Sequence, residues 1–107
     1  MLKIAKTDKR YTGSKHFSHV VDVKIQYVPA IGGNLNTRAS LRYLEFQAVR
    51  DWCIQTWGMS CEREHWLVLK DQEQEPNAHW CWNSENYDTK IYLATDKETN
   101  WFKLRWL

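Results

Sequence analysis

Seven tryptophans in a chain of 107 residues, none of them among the first 51, constrain the fold more than any other feature of this sequence. A buried tryptophan removes about 150–250 Å² of surface from water, so two or three of them can dominate the core of a small domain. Hydrophobic residues make up 43% of the chain, which is too many for a disordered segment. We therefore predict one domain over residues 1–107, whose tryptophans cannot all face one core.

The first half of the chain predicts a strand and a long helix. Residues 17–28 alternate apolar and polar side chains with a period of two, which is the pattern of a half-buried strand. A broad apolar face predicts a helix from about Leu41 to Trp57, and Gly58 supplies the usual end signal. Residues 1–15 are polar and rich in lysine, so we expect a mobile basic arm, with a short edge strand as the alternative.

Three further strands are expected after the helix. His65–Leu69 and His79–Trp82 look like a hairpin around an acidic turn, and Lys90–Ala94 follows as the next strand. The last segment, 96–107, fits a short helix capped by Asp96, although its apolar residues also alternate as in a strand. We favour the helix and expect Trp101 to lie in the core.

This order of elements predicts an α+β domain. We expect an antiparallel sheet of about four strands, with one long helix and a short C-terminal helix packed on one face. The closest named architecture is ferredoxin-like.

Several aromatic segments carry a resemblance to a known group of proteins. They are Trp52-Cys53, Thr56-Trp57-Gly58, Trp80-Cys81-Trp82, Ile91-Tyr92-Leu93 and the ending Phe102-Lys103-Leu104-Arg105-Trp106. Over residues 44–106 the chain resembles small, mostly uncharacterised proteins of tailed bacteriophages, including cyanophages. The resemblance implies a virus-encoded protein that acts in a bacterial cytoplasm, and it implies no catalytic residue.

Charge and cysteine content exclude several classes of function. Residues 1–30 carry six Lys/Arg against two Asp/Glu, whereas residues 61–90 carry three against seven. Opposed poles on a chain of net charge +2 argue against an electrostatically driven nucleic-acid binder. Three cysteines cannot pair completely, and the N-terminal segment lacks the apolar stretch of a signal peptide, so we expect reduced thiols and a cytoplasmic protein. No stretch is long enough for a membrane span.

Four residues are the best candidates for a metal site. A tetrahedral zinc site needs four ligands, and the predicted hairpin could bring together Cys61, His65, His79 and Cys81. Their spacing is poor and no C-x-x-C motif is present, so we expect ordinary thiols and imidazoles and no cofactor. Catalytic motifs such as G-x-S-x-G and H-E-x-x-H are missing, and we expect no enzymatic activity.

The tryptophans of the predicted hairpin suggest a binding surface. With helices on one face only, some of Trp66, Trp80 and Trp82 should lie on an exposed aromatic face of the sheet, next to Glu73 and Glu75 of the acidic turn. Tryptophan is enriched in interface hot spots, so we expect a protein-binding module whose partner is a host protein or another copy of the chain. The form expected is an inhibitor, an adaptor or a small virion component.

A single-stranded nucleic-acid binder is the alternative. The bases of the bound strand would stack on the same tryptophans. The phosphates of that strand would contact the basic residues Lys3, Lys6, Lys9, Arg10 and Lys15.

Overall fold

The computed structural model describes residues 2–8, 10, 15–23, 35–84 and 89–107, with residues 35–44 described by their backbone only. In chain order the elements are β1 (Leu2–Lys6), β2 (His19–Val23), α1 (Leu35–Trp57), α2 (Arg63–Asp71), β3 (Trp80–Asn83), β4 (Lys90–Leu93) and α3 (Asp96–Trp106). Within this part of the chain the strands form one sheet in the order β1-β2-β4-β3, and every neighbouring pair is antiparallel.

The sheet confirms the predicted α+β class with four antiparallel strands. The chain order is strand-strand-helix-helix-strand-strand-helix, whereas a ferredoxin-like domain alternates as β-α-β-β-α-β. The ferredoxin-like expectation is therefore not met. The difference arises because both connections within strand pairs are hairpins and two helices follow each other between them.

One face of the sheet packs against α1 and α3 to form the larger core. Successive residues of a strand point to opposite faces, so alternate residues of each strand enter this core. Its buried members are Val21, Val23, Phe46, Val49, Cys53, Trp80, Ile91, Leu93 and Phe102.

The opposite face of the sheet packs against α2. A smaller core forms there from Phe17, Trp66, Cys81 and Tyr92. The predicted placement of the long helix and the C-terminal helix on one face is confirmed. A third helix, α2, covers the other face, so the expectation that this face is open is wrong. The error follows from the prediction that residues 65–69 form a strand, since that removed the helix that covers the second face.

Residues 65–69 lie in α2, not in a hairpin strand. The run His65–Leu69 is short and mostly apolar, and such a run fits a strand and a helix equally well when it is judged by periodicity. In the structure Trp66 alone is buried on this helix, while Glu64 lies in its first turn and Lys70 in its last. Both charges suit the helix dipole. The strand β3 pairs with β4 instead.

The predicted bounds of α1 and of the first strand can be compared with the structure only in part. The helix α1 begins at Leu35, earlier than the predicted Leu41, and ends before Gly58 as expected. Gly58 has a φ of 92°, a conformation that favours glycine, and its N–H donates to Ile54 O at 2.8 Å. The predicted end of the first strand, beyond Val23, lies outside the described residues.

Residues 2–6 form an edge strand, so the mobile-arm expectation is wrong for this segment. Leu2 and Ile4 pack against the larger core, and β1 pairs with β2 in the register Ile4 to Val21. The strand pattern is weak in the sequence because three of the five positions, Lys3, Ala5 and Lys6, are polar or small.

Candidate protein-binding site

Trp80 is an internal anchor. Its side chain is completely buried, and its indole Nε1 donates to Gly58 O at 2.9 Å. Ser60 Oγ donates in turn to Trp80 O at 2.6 Å. These contacts tie β3 to the connection that follows α1, so Trp80 has no surface to offer a partner.

Trp66 and Trp82 also use their indole N–H groups within the molecule. Trp66 is 4% exposed and donates to Asn77 O at 2.7 Å, with its ring against the Phe17 ring. Trp82 is half-buried and donates to Glu62 Oε1 at 2.9 Å. The expected exposed aromatic face of the sheet is therefore wrong. The nucleic-acid alternative loses its stacking platform at the same time.

The acidic turn is exposed. Glu73 and Glu75 are both solvent-exposed in the segment that follows α2. Glu73 adopts a φ of 59°, and its N–H donates to Lys70 O at 3.2 Å, which turns the chain back over the end of the helix. The proposed role of Glu73 and Glu75 in partner binding stays a prediction.

The basic residues of the nucleic-acid alternative do not share one surface. Lys3 and Lys6 lie on opposite faces of β1, because they are three positions apart and successive residues of a strand point to opposite faces. Arg10 and Lys15 are exposed outside the strands, and Lys9 lies outside the described residues.

The four candidate metal ligands are divided between the two faces of the sheet. Cys61 and Cys81 pack in the smaller core, where burial raises the pKa of both thiols. His65 is exposed on α2, whereas His79 stacks on Trp57 and bonds to Glu98. Across the described residues, no three His, Cys, Asp or Glu side chains are grouped to hold a metal ion.

An exposed apolar surface lies on α3, while Met59, Val68 and Leu107 are exposed elsewhere in the described residues. Trp101 is 56% exposed and Leu104 is 81% exposed, so the expectation that Trp101 belongs to the core is wrong. Trp101, Leu104 and Arg105 do share one side of the helix, as the sequence suggested, but that side borders solvent. The buried side of α3 carries Glu98, Thr99 and Phe102.

Two polar residues can occupy the buried side of α3 because they are hydrogen-bonded there. Thr95, rather than the predicted Asp96, is the N-cap residue, and it forms a capping box with Glu98. The Thr95 N–H donates to Glu98 Oε2 at 3.0 Å, and Thr99 Oγ1 donates to Thr95 O at 3.0 Å. Burial alone would raise the pKa of Glu98, but hydrogen bonds from Thr95 and His79 outweigh it and lower the pKa.

A groove runs beside the exposed residues of α3. Its volume is about 490 Å³. Its lining is Trp52 and Thr56 from α1, with Trp101, Leu104 and Arg105 from α3. We call these five residues the α3 groove.

Aromatic packing fixes the floor of the α3 groove. The Trp52 ring meets the Phe102 ring edge-on with centroids 5.8 Å apart, and it meets Trp57 in the same manner at 5.3 Å. The guanidinium of Arg105 lies 4.3 Å from the centroid of the Trp106 ring, within the range of a cation–π contact. The groove therefore combines a packed aromatic floor with one oriented cation.

Comparisons of the chain with protein-family models, curated proteins and solved structures found no match. None of the helices in the described ranges has the length and apolar character needed to cross a membrane.

Proposed function

We propose that this protein is a non-enzymatic protein-binding module whose contact surface is the α3 groove. The observation that carries the proposal is the exposure of Trp101 and Leu104 side by side on α3, next to the partly exposed aromatic ring of Trp52. Tryptophan and arginine are the residues most enriched in interface hot spots, and both occur here. A partner that covers this surface would remove two large apolar side chains from water.

The sheet tryptophans support the same proposal by elimination. Trp66, Trp80 and Trp82 each have an internal acceptor for the indole N–H, so their place in the sequence is explained by folding. Trp101 has no such acceptor among the described residues, and its ring adds little to either core. Neighbouring large apolar side chains exposed together, such as Trp101 and Leu104, are typical of an interaction surface.

The resemblance to phage proteins supplies the setting of the proposal. A virus-encoded module of this size would bind a host protein as an inhibitor or adaptor, or would join other copies or virion proteins. Nucleic acid has less support as a ligand, because the sheet rings that would stack on bases are covered by helices.

Site-directed crosslinking tests the proposal. A photocrosslinking amino acid in place of Leu104 should give a discrete protein adduct in cells, whereas the same group in place of the exposed Lys3 should not. The Trp101→Ala change should reduce the adduct at least tenfold without loss of folding. No adduct from position 104, or an adduct that Trp101→Ala leaves unchanged, would overturn the proposal.

A further inference from the structure

The α3 groove carries a positive charge that forms no ion pair with any described residue. Arg105 is the only charged residue among the five that line the groove. Of the described carboxylates, none lies within ion-pair distance of its guanidinium. Lys97 is also exposed and lies one turn before Trp101, on the same side of α3, whereas Lys103 and the exposed carboxylate of Asp96 lie on other sides of the helix. The groove is therefore an apolar surface with a positive rim.

A surface with the opposite character lies at the end of α2. Its members are Val68, Asp71, Glu73 and Glu75, which we call the acidic patch. Val68 is 50% exposed, and none of the three carboxylates forms an ion pair with a described residue. Lys70 is the one cation within this stretch, so the patch keeps an excess of negative charge.

Backbone hydrogen bonds hold the acidic patch in a compact shape. The N–H of Gln74 donates to Leu69 O at 2.9 Å, and the N–H of Gln72 donates to Val68 O at 3.1 Å. The turn after α2 therefore folds back on the last helical residues. Val68 and the three carboxylates are therefore exposed side chains of one short folded segment, residues 68–75.

The two surfaces lie on opposite sides of the sheet. The helix α2 packs on one face, whereas α1 and α3 pack on the other. The acidic patch cannot reach the α3 groove of its own molecule. A contact between the groove of one copy and the patch of the next is head-to-tail, and such a contact can repeat.

We propose that the partner of the α3 groove is a second copy of this chain, which docks its acidic patch there. Val68 packs against Trp101 and Leu104, and a carboxylate of the patch pairs with Arg105. This inference rests on the proposed function, since it names the occupant of the same groove. Opposite charge across the contact selects this occupant and suppresses a groove-to-groove pairing, which would place like charges together.

The contact depends in part on exposed charges, so the association should be sensitive to salt. Exposed charges are screened over about 8 Å at physiological ionic strength and over about 3 Å at 1 M salt. A heterologous contact that does not close into a ring gives a series of oligomers, not a discrete dimer.

Light scattering coupled to size-exclusion chromatography tests this proposal with two charge-reversal variants. The wild-type protein should rise in mean mass with concentration at low salt and return to the monomer mass at 1 M salt. Arg105→Glu and the double variant Glu73→Lys/Glu75→Lys should each stay monomeric. An equal mixture of the two variants should regain oligomers, because each carries a surface that fits a surface of the other.

Several outcomes would overturn the second-copy proposal. They are a wild-type protein that stays monomeric at high concentration and low salt, variants that associate like the wild type, and a mixture that fails to recover although the wild type associates. All substituted side chains are exposed, and unchanged melting temperatures confirm that the variants fold. A monomeric wild type together with a Trp101-dependent adduct to a different protein would reject self-association and leave the proposed function standing.

Discussion

The Nδ1 atom of His79 lies 2.9 Å from Oε1 of Glu98, and this contact joins the residue before β3 to the first turn of α3. Glu98 is almost completely covered, whereas about half of the His79 side chain remains exposed. The His79 ring also stacks on Trp57 at the end of α1, with centroids 6.5 Å apart. One imidazole therefore connects both helices of the larger core to the sheet.

Replacing His79 with alanine should destabilise the protein by about 1–3 kcal/mol, because the buried carboxylate of Glu98 loses a hydrogen-bond donor. Urea unfolding monitored by circular dichroism measures the change. The matched control is His65→Ala on the outer side of α2, where the side chain is exposed and the expected change is within about 0.5 kcal/mol. Equal effects of the two substitutions would contradict the assigned role of His79.

Glu98 should make stability depend on pH in the acidic range. Its pKa is lowered in the folded state relative to the ordinary value of 4.5, so the unfolded chain takes up the proton first as pH falls. The contribution is present in full above the unfolded pKa and is lost as pH falls through the folded pKa. Urea unfolding at several pH values below neutral should show this loss, and Glu98→Gln should flatten the curve. A Gln variant with the same acid dependence as the wild type would rule Glu98 out as its source.

The tryptophans should divide into two groups on substitution. Trp80→Ala removes a completely buried ring and should cost about 3–5 kcal/mol, enough to threaten folding. Trp101→Ala alters an exposed ring and should change the free energy of unfolding by no more than about 0.5 kcal/mol. Chemical unfolding of both variants measures the difference, and a severe loss of stability from Trp101→Ala would place that ring in the core.

Glu62 joins α2 to the end of β3. Its carboxylate accepts the Trp82 indole N–H at 2.9 Å and the Ser84 backbone N–H at 3.1 Å, and it also accepts the Ser84 hydroxyl. Glu62→Ala should cost about 1–3 kcal/mol, because two N–H donors lose a charged acceptor. The control Glu64→Ala removes a solvent-accessible pair with Arg63 and a charge near the start of α2, and it should cost less than about 1 kcal/mol. Thermal unfolding compares the two, and the reverse order of effects would contradict this assignment.

Replacing Gly58 should destabilise the protein because of the backbone conformation at this position alone. A Cβ added there would have ordinary contact, with Asn77 Nδ2 as the nearest atom at 3.7 Å, so no clash contributes. The φ of 92° remains unfavourable for alanine, and Gly58→Ala should cost about 1 kcal/mol or more. Urea unfolding tests this expectation, and an unchanged or increased stability would contradict it.

Much of the local structure could be predicted from the sequence. The helix that ends before Gly58, the strands at 80–83 and 90–93, and the helix over 96–106 follow from apolar periodicity and end signals. Such patterns report which residues share one side of an element. They work here because the signals are local and act within a few residues along the chain.

The identity of α2 could not be decided in this way. The run from His65 to Leu69 has no strong period, and its helical form depends on contacts far along the chain, with Trp66 bonded to Asn77 and packed on Phe17. Mistaking it for a strand left one face of the sheet open. That open face is the one that carries Cys81 and Tyr92. Trp80 and Trp82 lie on the other face, against α1 and α3, and the strand pattern alone did not show which face those helices would cover.

The α3 helix separates what the sequence pattern determines from what tertiary packing determines. The sequence by itself determined that Trp101, Leu104 and Arg105 lie on one side of a helix, since that depends only on 3.6 residues per turn. Tertiary structure alone decided that this side borders solvent. Glu98 and Thr99 can be buried because their polar groups are hydrogen-bonded. Thr95 supplies local contacts at the start of the same helix, whereas the His79 contact to Glu98 exists only because folding brings β3 next to α3.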